Sequence, residues 1–160
     1  MLRNRNLIPL SHQHQHALAL CVRIERGLRP GGPDPKVWQQ EIATLFEDEI
    51  RYHFEAEEQI LFPAAEREAS LRQLVDQLRI EHGSLRKSAQ AAASGTMTVA
   101  DLQVFAASLS AHVRKEEGEL FEGMQEAFSV EELTALGERL DAYFTGSGMP
   151  GASCALRPRA

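Results

Sequence analysis

The sequence predicts an all-α protein, an antiparallel up-down bundle of four helices with a short fifth helix, on three observations. Apolar residues recur every three or four positions over long stretches, those stretches are bounded by proline, glycine and capping residues, and the alternating polarity that marks strands is almost absent. Short links between the long segments make neighbouring helices antiparallel. At 160 residues the chain has the length of one domain with a substantial core; the domain is expected over residues 1–144, followed by a flexible tail over 145–160.

Each element follows from its boundary chemistry. Ser11 is the expected N-cap of the first helix, which runs to about Leu28 before Arg29-Pro30-Gly31-Gly32-Pro33 breaks it. Asp34 and Pro35 form an N-cap and first-turn pair for the second helix, expected to reach about Ala69 with a kink at Pro63, where the helix loses a backbone donor. Ser70 opens the third helix, whose Leu71, Leu74, Val75, Leu78, His82, Leu85 and Ala89 step by three and four until it stops near Gly95. Thr98-Val99-Ala100-Asp101 reads as a capping box, with Asp in place of Glu, for a fourth helix extending to about Phe128. A second box, Ser129-Val130-Glu131-Glu132, starts the fifth helix, expected to end near Phe144.

Composition narrows the function classes. The chain carries 23 acidic and 17 basic residues, a net charge of −6, and its Lys and Arg are scattered. This argues against nucleic acid and anionic membrane as partners and favours a small ligand or a protein. The two cysteines, Cys21 on an apolar helical face and Cys154 in the expected tail, imply no disulfide framework. With no apolar run long enough to span a bilayer and no signal-peptide pattern in Met1-Leu2-Arg3-Asn4-Arg5, the expectation is a soluble cytoplasmic protein.

The chemistry-bearing motif is His53-x-x-x-Glu57, repeated as His112-x-x-x-Glu116. Residues four apart lie one turn above each other on a helix, so each pair aims an imidazole and a carboxylate at one point. In the second helix the stripe Ile42, Phe46, Ile50, His53, Glu57, Leu61 faces one way, and Leu102, Phe105, Leu109, His112, Glu116, Leu120 does the same in the fourth. His82 is the inward polar residue of the third helix. On the first helix His14 is in phase with Leu10, Ala17, Cys21, Ile24 and Leu28, whereas His12 and His16 fall about 200° around the axis from that face. His12 is expected in a supporting or surface place and His16 exposed. Glu117 is rotated about 140° from His112, against about 40° for Glu116, and Glu58 is disfavoured on the second helix for the same reason. Glu55, Glu58, Glu119 and Glu122 are expected as surface charge, and Trp38, Tyr143 and Cys21 as packing residues.

A single inward histidine is ordinarily a satisfied core residue. Four imidazoles and two carboxylates buried together without a partner would cost several kcal/mol per ion, which a cation removes. The expected metal set is therefore His14, His53, Glu57, His82, His112 and Glu116, with the glutamates able to bridge two ions and iron, manganese or zinc suited to the donors.

These residues resemble the hemerythrin-like, or HHE cation-binding, family. The resemblance rests on Leu10-Ser11-His12-Gln13-His14, on His53-Phe54-Glu55-Ala56-Glu57-Glu58 with Leu61-Phe62-Pro63, on Glu81-His82, and on His112-Val113-Arg114-Lys115-Glu116-Glu117, over roughly residues 8–125. It implies a four-helix bundle holding two iron ions, bridged by the two glutamates and an oxo or hydroxo group, and a small ligand such as dioxygen, nitric oxide or peroxide. The chain departs from the dioxygen carriers at Arg86, where they have a further histidine, and at Glu117, where they have Asp. Four inner histidines instead of five point away from simple reversible oxygen carriage and toward oxidation chemistry or a different ligand; the leading expectation is a small-ligand binder used for sensing or stress response. The rival readings are a di-iron redox enzyme acting on peroxide or nitric oxide, and a structural or regulatory bundle held by zinc. The Glu-x-x-His pairs of ferritin-like bundles are absent, since Ile50, Arg79 and Leu109 stand three before His53, His82 and His112.

Overall fold

A computed structural model describes residues 2–148, and among these it has five helices and no strand. Helix α1 spans Ile8–Gly27. Helix α2 runs over 35–65 as α-helical pieces Pro35–Leu45, Arg51–Ala56 and Phe62–Ala65 joined by π-helical turns at Phe46–Ile50 and Glu57–Leu61. Helix α3 is Arg72–Ala93. Helix α4 covers 99–127, with a π-helical turn at Glu116–Leu120 between Val99–Lys115 and Phe121–Ala127. Helix α5 is Val130–Gly146. Around the bundle α1 packs on α2, α2 on α3, α3 on α4 and α4 on α1, while α5 lies against α2.

Several boundaries follow the expected chemistry. Asp34 accepts from the Lys36 amide, and both capping boxes form, Thr98 with Asp101 and Ser129 with Glu132. Gly95 follows α3 at φ +67°, the left-handed conformation that glycine adopts without a Cβ clash. Two expected starts are corrected. Helix α1 begins at Ile8 after Leu7, with Pro9 in its first turn, so Ser11 lies inside the helix. Helix α3 begins at Arg72 after Leu71, leaving Ser70 in the preceding turn. Helix α2 stops at Ala65, not Ala69, and Pro63 enters the first turn of a fresh α-helical piece directly after a π turn, where its missing N–H costs least. Helix α5 continues to Gly146, two residues past the expected Phe144; residues 149–160 of the expected tail, with Cys154, lie outside the described residues.

The core is divided. One apolar cluster includes Leu7, Leu10, Leu61, Phe62, Leu78, Leu120, Phe121 and the inner face of α5; the other includes Leu20, Ile24, Ile42, Phe46, Phe54, Leu85, Phe105 and Leu109. Between them, at one level of the bundle, the stripes on α1, α2, α3 and α4 carry buried His and Glu in place of hydrocarbon.

Candidate metal centre

All six expected residues meet in that layer. His14, His53, Glu57, His82, His112 and Glu116 are at most 3% exposed, and Glu57, His82 and Glu116 are wholly buried. The i, i+4 spacing sets His53 beneath Glu57, with Nε2 to Oε1 3.1 Å, and His112 beneath Glu116, with Nε2 to Oε1 3.2 Å. Each carboxylate reaches across to a second histidine with its other oxygen: Glu57 Oε2 lies 3.3 Å from His82 Nε2, and Glu116 Oε2 lies 3.1 Å from His14 Nε2.

The result is two adjoining groups that share both glutamates. His14, His53, Glu57 and Glu116 form one, and Glu57, His82, His112 and Glu116 the other, with the candidate ligand atoms of each group within 4.8 Å of one another. The Nε2 atoms of His14 and His53 are 2.9 Å apart, and those of His82 and His112 are 3.2 Å apart. Both oxygens of Glu57 and both of Glu116 are buried with no hydrogen-bond partner. Buried polar atoms are nearly always satisfied, so four orphaned acceptors facing paired nitrogens fit a cation.

A second ring of side chains surrounds the first. His53 Nδ1 meets Gln13 Oε1 of α1 at 2.6 Å, and His82 Nδ1 meets Glu58 Oε1 of α2 at 2.8 Å. His112 Nδ1 meets Glu81 Oε2 of α3 at 2.8 Å, and His14 Nδ1 meets Glu117 Oε1 of α4 at 2.7 Å. Each helix thus backs the histidine of its neighbour, and the circuit closes around the bundle. A carboxylate or amide oxygen at Nδ1 accepts the ring N–H, which leaves the Nε2 lone pair directed inward for a metal. The three carboxylates are themselves held by cations: Glu58 by a forked contact from Arg86 at 2.7 and 3.0 Å, Glu117 by Arg3 at 2.6 Å, and Glu81 by Lys115.

This ring corrects one expectation and adds what the sequence reading missed. Glu58 is not surface charge; together with Glu117, the residue after each inner glutamate, it turns about 100° from its neighbour and supports a histidine of the next helix. Gln13 and Glu81 stand directly before His14 and His82. Adjacency to an inner histidine or glutamate is the signal that these four positions share. Glu55, also expected as surface charge, accepts from the Tyr143 hydroxyl at 2.7 Å, so Tyr143 ties α5 to α2 as well as packing. His12 and His16 are exposed, as their phase implies.

The electrostatics favour a charged, proton- or metal-filled layer. Burial lowers the His14 pKa, but Glu116 and Glu117 outweigh it and raise the group to about 10. His82 likewise loses to burial and gains more from Glu116, Glu57 and Glu58, reaching about 10. Burial and mutual repulsion raise the two inner glutamates, yet the surrounding imidazoles leave both below the usual carboxylate range. Glu58 and Glu117 resist burial through their His partners and sit at about 2.

The family pattern for the hemerythrin HHE cation-binding domain matches residues 9–123, which include every residue of both groups. The chain belongs to the hemerythrin HHE cation-binding family. Neither the curated proteins nor the solved structures give a match. In this hemerythrin-like chain Arg86 points its guanidinium over the Phe54 ring, 5.4 Å from the centroid, and forks Glu58 rather than supplying a fifth inner donor. Phe54 in turn stacks on His82 with centroids 3.7 Å apart, and Phe121 stacks on His14 at 5.6 Å. The rings fix the imidazole planes and keep the layer dry. A hemerythrin-like domain with these His and Glu groups is a cation-binding one.

Proposed function

We propose that this hemerythrin-like protein binds two iron ions, one at each group, and through them a small ligand such as dioxygen, nitric oxide or peroxide, in sensing or stress response. His14 and His53 would hold one ion and His82 and His112 the other, with Glu57 and Glu116, shared by both groups, available to each. The observation that carries the reading is the set of four unpartnered, fully buried carboxylate oxygens between two pairs of facing Nε2 atoms. Iron would supply reversible oxidation-state change and affinity for small ligands, which zinc lacks. The protein's own contribution is to fix the imidazoles through their Nδ1 partners, to exclude water with Phe54, Phe62 and Phe121, and to leave room for a ligand beside His14 and His53.

Many basic side chains are engaged in pairs with acids, including Arg3, Arg23, Arg67, Arg79, Arg86 and Lys115, which supports a small-molecule partner over nucleic acid or membrane. No helix among the described residues is long and apolar enough to cross a membrane. Metal analysis of protein purified without added metal tests the reading, with two irons per chain and iron(III) charge-transfer absorption expected. Stoichiometric zinc with no such absorption would move the assignment to a structural ion.

A specific observation favours a second reading, a redox enzyme. Arg86 stands where the carriers of this family place a histidine and is spent on Glu58, so the His82 side has one donor fewer. Catalytic consumption of peroxide or nitric oxide by the iron-loaded protein would establish it; stoichiometric binding alone would exclude it.

A further inference from the structure

A small cavity adjoins the metal-binding layer, against His14, His53, His112 and Glu116. Its volume is ≈ 10 Å³, about the space that one water molecule requires. Apart from those four residues and Gln13 its walls are mostly apolar, from Ala17 of α1, Ile50 and Phe54 of α2, and Leu109 and Val113 of α4. Glu49 also lines it. The same Glu49 lines an open groove of ≈ 480 Å³ between α1 and α2, and it is the residue that the linings of the cavity and the groove share. Its Oε2 is held 2.8 Å from Nδ1 of His16, the exposed histidine that plays no part in the inner layer.

The groove around that position is acidic. Glu41, Asp48 and Glu49 contribute three carboxylates against the single guanidinium of Arg23, which is already paired with Glu41 at 2.9 Å. An anion approaching by this route meets repulsion before it reaches an apolar passage that offers it no hydration. A neutral molecule of water size meets neither obstacle.

We infer that Glu49, latched by His16, is the outer gate of a ligand portal into the metal centre, and that this portal admits neutral water-sized molecules while discriminating against anions. The inference rests on the metal-centre reading above and adds to it the class of ligand and the residue that selects it. Glu49 is a specificity-determining residue, and Ala17 sets the bore of the passage, since a larger side chain there would occupy the cavity.

The test is stopped-flow association at low ionic strength, where charge effects are least screened. Nitric oxide is the neutral probe, added to iron(II)-loaded protein, and azide the anionic probe, added to iron(III)-loaded protein. Glu49→Gln is expected to speed azide association about tenfold while changing nitric oxide by less than about twofold. Ala17→Leu is expected to slow both probes by about tenfold or more, with Ala17→Val intermediate in case the larger residue disturbs packing. Metal content and thermal midpoint are measured for every variant; metal content is expected to match the wild type throughout, and the midpoint to match it in Glu49→Gln and to fall modestly in the Ala17 variants, whose added methyl groups exceed the cavity. Unchanged azide rates in Glu49→Gln, or unchanged rates for both probes in folded, metal-bound Ala17→Leu and Ala17→Val, would overturn the portal. Failure of the wild type itself to retain metal would instead remove the metal centre, and the portal with it.

Discussion

Glu57 and Glu116 are the residues with most at stake, because each is fully buried with both oxygens lacking a hydrogen bond. Removing either should cost the cation more than removing any single imidazole, since each glutamate serves both groups. Glu57→Ala is expected to lower bound metal to well under two per chain, and His82→Ala to do the same, while His16→Ala keeps full occupancy; metal analysis of the three variants decides. The Nδ1 partners act at one remove. Glu58→Gln keeps the shape and an acceptor oxygen but loses the charge that Arg86 and His82 share, so metal affinity is expected to fall by about 10–100-fold with the fold intact. Competition with a chelator of known affinity measures this, and an unchanged affinity would deny Glu58 its supporting role.

At the scale of the element, two π turns begin at the very glutamates that enter the layer, Glu57 and Glu116. An i to i−5 bond, from the Phe62 amide to the Glu57 carbonyl and from Phe121 to Glu116, widens the helix just past each inner carboxylate. The inner stripes were legible in the sequence because four-residue spacing alone puts His53 with Glu57 and His112 with Glu116 on one face. The π turns were not, since neither Gly118 inside one turn nor Pro63 just after another tells a π turn from a tolerated glycine or an ordinary kink, and the turn at Phe46–Ile50 carries no breaker residue at all. The outer ring was hidden for a different reason: Gln13, Glu58, Glu81 and Glu117 each serve a neighbouring helix, and periodicity within one helix does not set its rotation against the next. Capping was legible where polar boxes form and misread at Ser11 and Ser70, where Leu7 and Leu71 precede the helices without side-chain caps. Helix α5 approaches the N-terminal segment closely at Gly137, where an added Cβ would lie 2.7 Å from the Cβ and Oδ1 of Asn6. Gly137→Ala is expected to destabilise the protein by about 1–3 kcal/mol, read as a lowered denaturation midpoint; a midpoint at or above wild type would show that α5 yields freely.

For the whole molecule, a charged layer splits the hydrocarbon core into two clusters, so stability and metal content are linked. Without metal, His14 and His82 have folded-state pKa values of about 10, above the ordinary 6.5. A raised histidine stabilises the fold fully below its unfolded value, and that contribution disappears as pH rises through about 10. Glu58 and Glu117, at about 2 against an ordinary 4.5, contribute above 4.5 and lose that contribution as pH falls through about 2. The thermal midpoint of chelator-treated protein is therefore expected to be highest between about pH 4.5 and 6.5 and to fall toward pH 10. Bound metal takes the place of the imidazole protons, so the loaded protein should show a higher midpoint and no such alkaline decline. A metal-free midpoint that climbs from pH 6.5 to 10 would contradict the charge assignment.

The central claim is that side chains from four helices converge on two cations inside this layer. Diffraction from crystals of iron-loaded protein, recorded on both sides of the iron absorption edge, tests it most directly. Two anomalous peaks are predicted, one beside His14 and His53 and one beside His82 and His112, each next to Glu57 and Glu116. Peaks confined to the surface, or an inner layer with none, would contradict it.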